Sequence, residues 1–119
     1  MKFLSVIRGP ELPGPPPQAL MDAMGPFIQQ SLADGSLVST GGLASSGKGA
    51  RIRSALGKVT VTDGPFAEAK EVIGGYAIIE AATREQAIES TVRFMQLHAD
   101  HWPEWQGECE IRAIDFLAP

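Results

Sequence analysis

Apolar residues return at helical spacing in two stretches of this chain, and runs that read as strands flank both. The first holds Leu20, Met24, Phe27, Ile28 and Leu32, with Pro17 able to open it and Gly35 to end it. Pro26 falls inside the pattern, so a kink or a fresh start is expected at Gly25-Pro26. The second begins at Thr83, which with Gln86 makes a capping-box pattern, and carries Ile88, Thr91, Val92 and Met95 on one expected face. Strands are expected at Lys2–Arg8, Ser36–Thr40, Val72–Glu80 and Cys109–Phe116. Arg51–Ser54 and Lys58–Thr62, on either side of Gly57, read as an additional hairpin.

Without that hairpin the order is strand, helix, strand, strand, helix, strand. The fold class it predicts is α+β: the ferredoxin-like split βαβ with a four-stranded antiparallel sheet. Two helices cover one side of such a sheet and leave the other bare. An apolar face of that size is usually hidden by a partner, so a homodimer closed by a two-fold axis is expected, burying more than ~2,000 Å² in total. Tyr76, Ile78, Ile111 or Ile114 should lie on the bare face, and Trp102 and Trp105 could extend the seam.

A length of 119 residues suits a single domain spanning 1–119. The net charge of −4 offers no broad basic footprint, and the cluster Lys48, Arg51, Arg53 and Lys58 stands alone, so direct nucleic-acid binding is not expected. Cys109 is the one cysteine, which rules out an internal disulfide and fits a reducing compartment. The opening apolar run stops at Arg8, and no segment approaches the ~20 apolar residues of a membrane span. A cytoplasmic protein without membrane contact is the expectation.

Three groups of residues could carry chemistry. Asp63-Gly64-Pro65-Phe66 reads as a turn with a core plug. The functional reading makes it a carboxylate at a pocket mouth, with Asp63 as base or anchor and Gly64, Pro65, Phe66, Glu68 and Lys70 as ligand contacts. His98 and His101 stand one helical turn apart, with Trp102 and Trp105 beyond them. A zinc site needs a further firm ligand, and Pro103 ends the helix before Glu104 can join, so no metal is expected. Either histidine could instead partner Asp63 in acid–base work. Third, Gly42 to Gly49 nearly spells a phosphate-binding loop. It has Gly49 where a hydroxyl must hold magnesium, and a strand where a helix must follow. Gly74-Gly75, inside a strand, calls for a bulge or a close approach.

The run from Val61 to Tyr76 (Val-Thr-Asp-Gly-Pro-Phe-Ala-Glu-Ala-Lys-Glu-Val-Ile-Gly-Gly-Tyr) resembles the signature of DGPF-domain proteins, a branch of the YCII-related family. Gly35-Ser36-Leu37-Val38, Gly41-Gly42-Leu43 and Glu108 to Arg112 add to it, so the likeness spans nearly the whole chain. The resemblance implies a ferredoxin-like fold of the dimeric α/β-barrel group and a small organic ligand. It also implies cofactor-free acid–base chemistry of the lyase or isomerase kind, as with relatives thought to use a His–Asp pair, one of them in a dehydrochlorination. Many such proteins resemble companions of extracytoplasmic-function sigma factors, so an accessory module beside a sigma factor is the rival expectation. The relatives' histidine falls here on Met24, which cannot move a proton. The familiar dyad is therefore absent in that form.

Overall fold

The structure is a computed structural model, and it describes residues 1–66 and 71–115. The elements run β1 (Lys2–Gly9), α1 (Gln18–Ala33), β2 (Leu37–Gly42), β3 (Ala50–Ala55), β4 (Lys58–Asp63), β5 (Val72–Glu80), α2 (Arg84–His101) and β6 (Glu108–Ala113). A short 3₁₀ turn at Ser46–Lys48 precedes β3. Four strands form one antiparallel sheet in the order β2-β5-β1-β6, with the two strands adjoining α1 and the two adjoining α2 interleaved. This is the ferredoxin-like arrangement. The hairpin β3–β4 makes a separate two-stranded sheet, turning at Leu56 and Gly57, whose φ values of 53° and 77° are those of a tight two-residue connection.

The helix-covered side of the sheet holds the core. Phe3 pairs with Ile79 across β1 and β5, and the two pack with Ala87 of α2; Ala77, Ala81 and Ile111 close round them. Ile111 therefore faces the helices, contrary to its expected place on the bare side. Its register partner Ser5 is buried two residues from Phe3, which puts residues 109, 111 and 113 on the core side. Tyr76 and Ile78 pair with Val6 and Leu4 and do lie on the open side.

The helices depart from expectation in two details. α1 runs unbroken through Pro26, whose ring is exposed, so the carbonyl it leaves unbonded at Asp22 sits on the solvent side where water can serve it. α2 turns inward on Ala87, Thr91 and His98, while Val92, expected inside, is 57% exposed. A small side chain at Ala87 lets that helix close on the sheet, which sets its rotation. Its start is capped as the pattern foretold. Thr83 Oγ1 accepts from Gln86 N at 3.1 Å, and Gln86 Oε1 accepts from Ala82 N at 3.0 Å. Gly74 is the extra residue of a bulge, since Ile7 pairs with Gly75 and Arg8 with Ile73.

Candidate functional site

Asp63 closes β4 opposite Ala50, at the root of the hairpin, and its carboxylate is exposed with no partner among the described residues. The chain then folds back through a cis Gly64–Pro65 bond, and Gly64 N donates to Gly49 O at 2.9 Å. That approach leaves no room for a side chain, because a Cβ on Gly64 would run into the carbonyl of Ser46. Phe66 is half-buried, with the Arg51 guanidinium 3.9 Å from its ring centroid. The segment thus builds the foot of the hairpin. Gly64→Ala should cost about 1–3 kcal/mol and speed amide exchange in β3 and β4. An unchanged urea midpoint would show that the Ser46 carbonyl moves aside freely.

The loop that nearly spells a phosphate site is occupied from within. Glu11 accepts from Ser46 N at 3.2 Å and from Ser46 Oγ at 3.0 Å, so an internal carboxylate ties the proline-rich loop to the 3₁₀ turn. A strand follows the loop, where a phosphate site needs an α-helix. Glu68 and Lys70 lie outside the described residues. Glu71, just beyond them, borders a shallow concavity of about 360 Å³ with Pro10, Gln106, Gly107 and Glu108.

His98 belongs to the helix layer. It is 7% exposed, with Nδ1 3.2 Å from the Phe94 carbonyl and its ring 4.9 Å from that of Phe94 and 5.1 Å from that of Trp105. Phe27 and Trp102 extend the same aromatic row at its two ends. Trp105 fits closely over the end of β1, where a Cβ on Gly9 would stand 2.8 Å from the indole. Burial lowers the pKa of His98 against the opposing Phe94 carbonyl, so the neutral ring is favoured. His101, at the end of α2, is exposed. No interaction joins Asp63 to either histidine among the described residues. Nor does any group of three or more His, Cys, Asp or Glu side chains there gather closely enough to hold a metal ion. Cys109 is half-buried, its Sγ 3.4 Å from Met95 Sδ, and burial pushes its thiol pKa up.

Sequence reasoning put Tyr76 on the open face but did not single out Ser39, Arg8 or Glu110 there. Ser39 Oγ lies 3.2 Å from Tyr76 Oη, and Tyr76 leans over Gly41, where a Cβ would come within 2.9 Å of its ring. Across the sheet, Arg8 Nη1 donates to Glu110 Oε1 at 2.7 Å. Between these edges stand Leu4, Val6 and Ile78. The alternation of β1 and β5 held this signal, but the partners of Arg8 and Tyr76 are far off in sequence.

No curated protein matches the chain. The profile of the YCII-related domain matches residues 1–106, from the first strand past the end of α2 and through the loop that carries Trp105. With a match of that extent, on a sheet ordered β2-β5-β1-β6 beneath two helices, the chain belongs to the YCII-related family.

Proposed function

We propose that the protein works as a homodimer that binds a small organic molecule over the open face of its sheet. One observation carries this reading: an apolar bed of Leu4, Val6, Tyr76 and Ile78 on the side of the sheet away from the helices, Leu4 exposed and the other three half-buried, with polar groups at both edges. Such a bed with a few convergent polar groups is the common make-up of a small-molecule site. Arg8 gives one N–H to Glu110 and has further guanidinium donors, so a ligand carboxylate can share it at the sheet edge.

The thinness of the core supports a second copy. Among the described residues Phe3, Leu20, Ile79 and Ala87 are the buried apolar side chains. The chain exposes 8406 Å², against about 6,200 Å² for a compact monomer of its mass. Acid–base lyase or isomerase chemistry, with Asp63 as base and His98 or His101 as partner, is the catalytic extension of this reading. It would need a second chain to bring Asp63 to the exposed His101, because Asp63 ends an exposed strand and His98 is enclosed beside Trp105.

Thermal unfolding against a panel of small carboxylic acids tests the binding. A ligand at about 100 times its Kd should add about 2.7 kcal/mol, a rise in Tm of about 10 °C for a chain this size. Arg8→Gln should lose most of that rise. A dimer that no member of the panel stabilises would refute the binding reading.

A further inference from the structure

The hairpin β3–β4 is exposed along its whole length on both of its faces. Its register makes it two-sided: Ile52 lies opposite Val61 and Ser54 opposite Val59, while Arg51 and Arg53 lie opposite Thr62 and Thr60. One side is therefore an apolar stripe and the other is basic. Ile52, Val59 and Val61 are 67%, 68% and 66% exposed, and Leu56 at the tip is fully so. A two-stranded ribbon with nothing packed on it is marginal in water. This one is held at its foot by Gly64 on Gly49 and by Arg51 on Phe66. It also stands away from the body, because the radius of gyration is 16.0 Å where a compact chain of this length has about 13.5 Å.

We propose that this hairpin is a dimerisation arm whose stripe of Ile52, Val59 and Val61, with Leu56 at the tip, lies against a second copy of the chain. The inference rests on the homodimer proposed above and names a surface that holds it. Area argues for it first. With strands about 4.8 Å apart and about 3.3 Å per residue, the open sheet face, whose strands hold six to nine residues, measures about 460 Å² and one face of the six-residue hairpin strands about 200 Å². A standard interface takes about 800 Å² from each partner, so the sheet face alone falls well short and the arm supplies much of the rest. Charge argues in the same direction. The chain carries −4 in all and residues 50–63 carry +2 (Arg51, Arg53 and Lys58 against Asp63), which leaves the body at −6. The arm as a whole is drawn to the negative body of another copy, with its basic side chains on the face away from the stripe. Symmetry chooses that copy over a foreign protein, since a two-fold axis lets each arm cover its partner in one closure.

The test is the double variant I52K/V61E, followed by light scattering over a dilution series, with I78E as the matching variant of the open sheet face. The expected result is a wild-type dimer and a hairpin variant whose dimer dissociates at 100-fold or more higher concentration, with an unchanged far-UV spectrum. Amide exchange on the wild type gives a second reading: β3 and β4 should be protected in the dimer and lose that protection on dilution. If I52K/V61E dimerises like the wild type while I78E does not, the arm is refuted and the sheet-face dimer stands. A wild-type mass near 12.7 kDa at all concentrations overturns the homodimer and the arm together, and leaves the stripe to a foreign partner.

Discussion

Replacing Leu20 by alanine should lower the unfolding free energy by about 2–5 kcal/mol, a large part of the 5–15 kcal/mol that domains of this kind possess. Leu20 is 1% exposed and is the largest fully buried side chain among the described residues. It sits in the first turn of α1, where Leu20 N and Met21 N both bond the Pro17 carbonyl at 3.1 and 3.2 Å. It also lies outside the cluster of Phe3, Ile79 and Ala87 that seats α2. Leu20 is the buried residue of α1, so its truncation removes that helix's main apolar anchor as well as creating a cavity. Urea denaturation reads the effect directly. Val92→Ala, on the exposed side of α2, serves as the control and should stay within about 0.5 kcal/mol. A loss under about 1 kcal/mol at Leu20 would mean that the first turn of α1 relaxes into the space.

Much of this fold could be read from residues close in sequence, and what could not be read depends on residues far apart. Helical spacing, the Thr83–Gln86 cap and the short link at Gly57 are local signals, and each element they announce is present. Which face an element turns inward was harder. Val92 outranks Ala87 in hydrophobicity, yet close approach to the sheet rewards the smaller side chain, and α2 rotates accordingly. Ile111 fits either face by composition, and its pairing with Ser5 decides. The candidate site shows the same division. Asp63-Gly64-Pro65-Phe66 announces a turn, but the reason for Gly64 is the Ser46 carbonyl eighteen positions earlier. The ion pair of Arg8 and Glu110 spans 102 positions, and no local pattern marks it. The spacing of His98 and His101 suggested a shared face, whereas one is buried among aromatic rings and the other ends the helix in solvent.

That division between the histidines gives the second large effect, a loss of stability on mild acidification that follows His98 alone. Its ring is held by Phe94 and Trp105, and burial is the main cause of its lowered pKa, with no charged neighbour contributing. The unfolded chain titrates this group near 6.5, so below that value the unfolded state binds a proton that the folded state resists. Stability then rises with pH across this window. It is complete above the unfolded value and is lost as pH falls towards the folded one. One proton sets the limit of the slope at about 1.4 kcal/mol per pH unit. Asp34, whose pKa the Ser36 bonds lower, contributes in the same direction, but only within and below the ordinary carboxylate range. Urea midpoints measured from pH 7.5 to 5.5 should fall for the wild type and for His101→Gln, and stay level for His98→Gln, which starts less stable. A wild-type midpoint that holds steady over that range would mean that His98 reaches water easily, and that the aromatic row opens in solution.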